Sequence, residues 1–173
     1  MKNYAIVYFP QINTSAINNY RQKYDPQFSV IAPHITLVFP FSGIPEEQII
    51  KHLQAITETI KPFNVSLKGL MKSFDYYLFL LVNGGSKEIQ KVHDKLYSGV
   101  LASQLHNHIP FIPHVTLGYF RVKNNQFDST QYENAYKEAE EMNLNFETIL
   151  NKFTLIKGNG VSPAEVIKIF DLK

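Results

Sequence analysis

The sequence predicts an α+β protein in which one structural unit occurs twice. The pentapeptide Pro-His-x-Thr-Leu appears at 33–37 as PHITL and again at 113–117 as PHVTL, at an offset of 80 residues. Around each copy, runs of alternating β-branched and aromatic residues follow or precede runs with helical periodicity. We therefore expect one bilobal domain over 1–173, with two small, mainly antiparallel sheets, helices on their outer sides and a pseudo-two-fold axis through a central cleft.

The first half of the chain opens with a strand and a short helix. Residues 3–9 are β-branched and aromatic and end at a proline, as a strand does. Residues 15–24 predict a helix with Ser15 as its cap, and 34–39 predict the first motif strand, which Pro40 would end. Residues 45–60 carry the strongest helical pattern, because Ile49, Leu53, Ile56 and Ile60 form one apolar stripe.

The remaining elements continue the same alternation. We expect strands at 63–70 and 76–83, a helix at 86–103, and the second motif strand at 114–120. A helix at 128–142 would begin with a capping box of Asp128 and Gln131. Two last strands are expected near 145–156 and 165–172, joined by the turn at 157–160.

The offset of 80 brings most of these elements into register. Shifted by 80, the helix 45–60 falls on the helix 128–142, and the strand 63–70 falls on the strand near 145–156. The last strand misses by several residues, which a longer turn absorbs. Each half thus contains a helix, a motif strand, a helix and two strands, as a duplicated unit would.

Composition excludes several classes of protein. The 173 residues include no cysteine, which rules out disulfides and thiolate zinc sites. The formal net charge of +2 is too small for a protein that coats nucleic acid. No apolar run has the length of a membrane span and the N-terminus has no secretory cleavage site, so we expect a cytoplasmic protein without a membrane partner.

The two motifs offer a set of groups suited to acid–base chemistry. Side chains two apart on a strand share a face, so His34 projects with Thr36 and His114 with Thr116. Two histidines can divide the roles of general acid and general base near neutral pH. Threonine hydroxyls can donate to an oxygen that gains charge. Displacement at phosphorus needs this combination, and it needs no metal if the donors suffice.

The paired motifs, HITL at 34–37 and HVTL at 114–117, resemble those of the 2H phosphoesterases, the RNA 2′,5′-ligase and cyclic phosphodiesterase superfamily. The N-terminal strand, YDP at 24–26 and the length look most like its YjcG-like bacterial branch. The resemblance implies a bilobal α+β fold and metal-independent chemistry without a cofactor on 2′,3′-cyclic or 2′-5′ phosphodiesters. The substrates would be RNA ends or small nucleotides.

The resemblance also implies roles for single residues. His34 would be the proton donor and His114 the acceptor, while Thr36 and Thr116 would bind the phosphate. Nothing in the sequence itself distinguishes donor from acceptor, and a reversible reaction exchanges them. Many members have a basic residue directly after the second motif, whereas here Arg121 follows only after GYF at 118–120.

Two other functions fit the same sequence. The cleft could bind an RNA end or nucleotide without chemistry, or a metal-dependent hydrolase could use His106, His108 and His114. His52 lies beside the apolar stripe of its helix and is expected at the flank or surface, while His93, near Ile89 and Leu96, is expected to be partly buried. Several aromatic residues are candidates for base stacking, namely Tyr8, Phe9, Phe39, Phe41, Tyr119 and Phe120. A basic rim could come from Arg121, Lys123, Lys152 and Lys157.

Overall fold

The computed structural model describes residues 3–106, 108–120 and 127–173 and has an α+β fold. The eight strands are β1 Asn3–Tyr8, β2 Ile35–Phe41, β3 Phe63–Lys72, β4 Tyr77–Val82, β5 His114–Tyr119, β6 Asn145–Leu150, β7 Lys152–Gly158 and β8 Glu165–Asp171. The four α-helices are α1 Ser15–Tyr24, α2 Glu46–Thr57, α3 Ser86–Leu96 and α4 Ser129–Glu141. A 3₁₀ helix follows α3 at Gly99–Gln104.

The strands form one antiparallel sheet in the order β6-β3-β4-β5-β2-β1-β7-β8, which corrects the prediction of two separate sheets. The two motif strands β2 and β5 lie at its centre and pair with each other at Ile35 and Val115. Two separate four-stranded sheets would each leave a motif strand with unpaired backbone groups along one edge. Direct pairing of β2 with β5 removes both of these edges.

The sheet is curled, so that strands near its two ends lie close together. Only Asn151 separates β6, in one half, from β7, in the other. The hydroxyls of Tyr8 in β1 and Thr148 in β6 hydrogen-bond at 2.8 Å, although the strands β3, β4, β5 and β2 lie between β6 and β1 in the sheet order. The predicted single strand near 145–156 is therefore two strands that belong to opposite halves.

One face of the sheet packs against the helices and forms the main core. Ile35 and Leu37 of β2 and Val115 and Leu117 of β5 are fully buried there, as their alternation predicts. The helices reach across the middle of the sheet, since α1 packs on β5 and α3 packs on β2. None of the helices in the described part of the chain is long and apolar enough to cross a bilayer.

Several element boundaries follow from the predicted local signals. Helix α2 begins after Pro45, with Glu46 and Glu47 in its first turn, and α4 begins after Asp128, whose carboxylate accepts a hydrogen bond from the Gln131 N–H at 2.9 Å. At α1 the predicted cap is wrong. Ser15 is the first helical residue, and its N–H donates to the side chain of Asn13.

Two other boundaries differ from the prediction for reasons visible in the backbone. The predicted helix 86–103 is interrupted after Leu96, and the 3₁₀ helix starts at Gly99, which has a φ of +52°. Strand β2 continues through Pro40 to Phe41 instead of ending at the proline. Its pairing with β1 is irregular near this point and β5 pairs only at its other end, so the missing N–H of Pro40 removes no regular ladder bond.

Candidate active site

The four motif residues lie together where the two central strands pair. Extending the register of Ile35 and Val115 by one residue places His34 opposite Thr116 and Thr36 opposite His114. Directly opposed residues of antiparallel strands have Cβ atoms about 5 Å apart. Each histidine therefore has the other motif's threonine as its cross-strand neighbour, all on the face away from the core.

A β-bulge follows the threonine in both motif strands. In β2 the extra residue is Leu37, because the neighbours Ile6 and Val7 of β1 pair with Val38 and Thr36. In β5 the extra residue is Leu117, because the neighbours Leu78 and Phe79 of β4 pair with Gly118 and Thr116. Bulges of this kind re-aim side chains and occur often beside active sites.

The bulges change the predicted facing of one residue and support the proposed duplication. Strict alternation along 34–39 would place Val38 on the face of His34, but Val38 is fully buried in the core, because the bulge shifts the alternation of the strand. The bulged residues Leu37 and Leu117 are separated by the same offset of 80 as the histidines. The two motifs are therefore alike in local backbone structure as well as in sequence.

Both histidine rings are held in the same way. Nδ1 of His34 lies 2.9 Å from the carbonyl oxygen of Ala32, and Nδ1 of His114 lies 2.5 Å from that of Ile112, in each case two residues earlier in the chain. A carbonyl can only accept, so Nδ1 carries the hydrogen in both rings. In the neutral rings Nε2 is then the nitrogen that can accept a proton, and after protonation the one that can give it away.

The surroundings of the two rings differ in packing and charge. His34 lies beside the ring of Phe9, with 6.1 Å between ring centroids, whereas His114 stacks on Phe79 at 3.5 Å. Burial lowers the pKa of His34 to about 4, against the opposing effect of its bond to Ala32, and the charges of Arg21 and His114 lower it further.

For His114, burial also lowers the pKa, but its bond to Ile112 and the negative charge of Asp75 oppose this. Both rings are therefore neutral at pH 7 in the unliganded protein. The charge of Asp75 favours a proton on His114, whereas the charge of Arg21 lowers the pKa of His34.

A cleft of about 540 Å³ opens beside the motif residues. Its walls include His34, Thr36 and Thr116, while His114 lies next to this lining without being part of it. The volume is in the range of small-molecule sites in proteins. One wall is apolar and comes from β1, β7 and two loops: Ala5, Val7, Val30, Ile31, Ile156 and Ala164.

The two loops over this wall are tied to each other. The N–H of Ala164 donates to the carbonyl of Val30 at 2.8 Å, and the side-chain amide of Gln27 donates to the carbonyl of Gly160 at 3.2 Å. The segment after α1 and the turn after β7 therefore form a connected border along the cleft.

Sequence reasoning did not identify three of the residues in the cleft. Tyr77 lines it together with Tyr119, and their rings lie 4.4 Å apart across β4 and β5. Arg21 and Asp25 line it from the end of α1. The signal for the last two was the spacing of four between Ile17, Arg21 and Asp25, which places both charged residues on the buried face of the helix.

The candidates for base stacking divide between core and cleft. Tyr8, Phe41 and Phe120 are core residues, and Phe39 packs against His93 and Phe111, so these four are not available to a base. Tyr119 lines the cleft, and Phe9 lies beside His34.

The predicted basic rim is only partly described. Lys157 lies 4.7 Å from the ring centroid of Tyr4 and near Glu46, at 3.4 Å, and is thus engaged in contacts of its own. Lys152 lies in β7, next to the β8 edge strand. Arg121 and Lys123 fall outside the described residues.

The structure also places the histidines considered for other roles. His93 is buried, and its Nδ1 bonds the carbonyl of Leu37 at 2.8 Å from the core side of β2. His52 bonds the carbonyl of Leu96. His106 and His108 are exposed, and within 3–106, 108–120 and 127–173 no three acidic, histidine or cysteine side chains are grouped so as to hold a metal ion.

Comparison with known proteins gives matches along most of the chain. The family model of the 2′-5′ RNA ligase superfamily matches residues 9–161. A candidate phosphoesterase of Bacillus licheniformis is 33% identical over 124 residues, which are 66% of this chain and 69% of that protein. Another, from Geobacillus sp. strain WCH70, is 28% identical over 158 residues, covering 88% and 86%.

Two solved structures show the same fold. A protein of Thermus thermophilus superposes with a TM-score of 0.66 at 16% identity, covering 99% of this chain and 98% of that one. LigT of Escherichia coli in complex with NADP⁺ has a TM-score of 0.60 at 16% identity, with the same coverage. At this identity the likeness extends to the fold alone.

Proposed function

Because the chain belongs to the 2′-5′ RNA ligase superfamily, we propose that it is a metal-independent phosphoesterase that acts on 2′,3′-cyclic or 2′-5′ phosphodiesters. The observation that carries the proposal is the matched pair of histidines. Each is fixed through Nδ1 to a carbonyl two residues earlier and has the other motif's threonine as its cross-strand neighbour. This arrangement supports an enzyme that has one proton carrier for each side of a phosphorus centre.

The proposed reaction uses the groups in pairs. One neutral imidazole takes the proton of the attacking water or hydroxyl through Nε2, while the other, protonated, gives its proton to the oxygen that leaves phosphorus. Thr36 and Thr116 donate to the non-bridging oxygens, whose charge grows in the transition state. For a 2′,3′-cyclic phosphate, water adds to phosphorus, one ribose oxygen leaves as a hydroxyl, and the product is a phosphomonoester.

The substrate we propose is an RNA end or a small nucleotide. LigT of Escherichia coli, which shares the fold, has been crystallised with 3′-AMP and with ATP. The cleft beside His34 has an apolar wall and a volume of about 540 Å³, suited to a nucleoside next to the reacting phosphate.

The direction of proton transfer is assigned differently by the family and by the local charges. The resemblance to the 2H phosphoesterases assigns donation to His34 and acceptance to His114. The charges around the rings favour the opposite in the unliganded protein, because Asp75 raises the pKa of His114 while Arg21 lowers that of His34.

A substrate with an activated leaving group separates the two assignments. A nucleotide 4-nitrophenyl phosphodiester needs no protonation of its leaving oxygen, so a variant without the donor keeps most of its activity on it. A variant without the acceptor loses activity on this ester and on the unactivated substrate alike. Comparison of His34→Ala with His114→Ala on both substrates therefore identifies the donor.

The same variants test the proposed function. Each substitution removes a proton carrier, so turnover of an unactivated phosphodiester should fall by about 10³-fold or more. Thr36→Val removes one donor and should cost less, about ten- to a hundredfold. His108→Ala, at an exposed loop position, is the matched control and should retain full activity. Unchanged rates in both histidine variants, with the fold intact by thermal unfolding, would refute the site.

Two other functions predict different outcomes in these assays. A binding module would retain nucleotide affinity without forming product, and would tolerate His→Gln changes that keep a hydrogen bond. A metal-dependent hydrolase would lose activity with a chelator, and one that used His106 and His108 would also lose activity in the His108→Ala control.

A further inference from the structure

Arg21 is a buried charge in the wall of the cleft. It lies in the last turn of α1 with only 2% of its surface exposed, four residues after the buried Ile17. Burial of a guanidinium is costly unless each of its donors is satisfied. The contacts of its three nitrogens therefore indicate whether Arg21 serves the fold alone.

Two of the three nitrogens have partners. Nε donates to Oδ2 of Asp25 at 2.8 Å, and Nη2 lies 2.7 Å from the same oxygen in the ion pair. Nη2 also donates to the carbonyl of Ile31 at 2.9 Å. These bonds fix the plane of the guanidinium and tie the end of α1 to the loop before His34. Nη1 is the one buried side-chain nitrogen or oxygen that lacks a partner in the described part of the chain.

The unpartnered nitrogen belongs to a residue that borders the motif groups. Arg21, Asp25, His34, Thr36 and Thr116 all line the same cleft, and the charge of Arg21 reaches His34 strongly enough to lower its pKa. Among the described residues of the cleft lining, Arg21 is the sole lysine or arginine. A buried donor left without a partner typically costs about 1–3 kcal/mol of stability. This cost at Nη1, beside the motif residues, indicates that a bound ligand supplies the missing acceptor.

We propose that Arg21 binds the substrate phosphate, with Nη1 donating to a non-bridging oxygen of the group that lies between His34 and Thr116. This inference rests on the proposed function. Guanidinium groups suit phosphate oxygens because they are always charged and hold their donors in a fixed plane. Asp25 is a positioning residue in this account, since it orients the plane without contacting substrate.

The negative charge of Asp25 is offset by the guanidinium of Arg21, and both of its carboxylate oxygens accept hydrogen bonds from the protein. Oδ2 accepts from Arg21, and Oδ1 accepts from the N–H of Gln27 at 2.8 Å. The ion pair also makes the site nearly neutral before substrate arrives. A phosphodiester thus brings one negative charge to a position with two threonine hydroxyls and one guanidinium donor.

The test is an NMR titration with inorganic phosphate, following the ring signals of His34 and His114. Arg21→Lys keeps the charge and can still pair with Asp25, but it lacks Nη1. We expect it to weaken phosphate binding at least about tenfold, as loss of one charge-assisted hydrogen bond predicts. Lys23→Met is the matched control, because Lys23 is on the same helix and its exposed ammonium pairs with Glu138.

A second variant covers the possibility that Arg21→Lys does not fold. Arg21→Met with Asp25→Asn removes both charges together and keeps an acceptor for the Gln27 N–H. Replacing both partners of a buried pair is far less disruptive than removing one. Thermal unfolding checks that each protein is folded before the titration.

Each outcome has a distinct meaning. Weaker phosphate binding in every Arg21 variant that folds, with the Lys23→Met protein like the wild type, supports the inference. Phosphate affinity within about twofold of the wild type in a folded Arg21 variant overturns it, as does a wild-type protein that binds no phosphate. Turnover of nucleotide phosphodiesters by the wild type is measured separately. It tests the proposed function independently of the result of the phosphate titration.

Discussion

The pH dependence of turnover follows from the two lowered pKa values. The pKa of His34 is about 4, and that of His114 lies below the ordinary histidine value of 6.5. The proposed reaction needs one ring neutral and the other protonated, so kcat/KM should form a bell with its maximum between about pH 4 and 6.5. Either assignment of donor and acceptor gives the same bell, because the two protonation states carry the same net charge.

The decline of kcat/KM on the alkaline side should be steep. Above the upper pKa the population with one proton falls tenfold per pH unit, so at pH 7.5 kcat/KM should be about tenfold or more below its maximum. The assay is the initial rate on a 2′,3′-cyclic nucleotide at low substrate concentration and constant ionic strength. The phosphate of this substrate does not titrate in the range, so the profile reports the unliganded protein.

A carboxylate variant makes the prediction sharper. Asp75 raises the pKa of His114, so Asp75→Asn should shift the alkaline limb to lower pH. Asp94→Asn is the matched control, since Asp94 acts on the buried His93 at another position. A wild-type profile that stays flat or rises from pH 6.5 to about 8 would refute the reasoning.

Three further predictions concern stability. His34 is neutral in the folded protein down to about pH 4, so the free energy of unfolding should fall by up to about 3 kcal/mol as pH drops from 6.5 to 4. His34→Gln should remove this pH-dependent loss, measured by thermal unfolding at several pH values. Asp128→Ala should cost about 1 kcal/mol in chemical unfolding, because it removes the cap of α4, and an unchanged midpoint would contradict the capping role. Gly85→Ala should destabilise the protein more than Gly43→Ala. Both glycines have a positive φ, but only at Gly85 would an added Cβ meet backbone, 2.5 Å from the carbonyl oxygen of Asn64. Equal losses of stability would contradict this.

The core of the site could be predicted from sequence because it depends on local periodicity. His34 and Thr36, and likewise His114 and Thr116, share a strand face through the period of two, and the leucine after each threonine is buried as expected. The repetition at an offset of 80 then indicated that the two strands belong to one site. The extents of α1 and β1 were also predicted to within one residue, although the residue that caps α1 was not.

The features that sequence did not reveal depend on long-range pairing. Direct pairing of β2 with β5 joins the predicted two sheets into one, and no local pattern specifies which strands share an edge. The bulge that buries Val38 arises from the register with β1, which the alternation of β2 alone does not contain. The assignment of the chain to a duplicated unit stays a proposal, now supported by matching bulges at Leu37 and Leu117.

Arg21 was missed for a different reason. A lone arginine in a polar helical segment usually points to solvent, and its burial becomes evident only when α1 packs on β5. Its spacing of four from Asp25 was visible, but the loop that brings Ile31 and His34 to the same place was not. Charged residues on a buried helical face are therefore worth testing as site candidates.

The central claim is that two histidines, without a metal, break a phosphodiester bond. The most direct measurement is turnover of 2′,3′-cyclic nucleotides and a 2′-5′-linked dinucleotide in the presence of a chelator, comparing the wild type with the His34→Ala, His114→Ala double variant. We predict product from the wild type and none from the folded double variant. Product from both proteins, or wild-type activity that the chelator abolishes, would contradict the account.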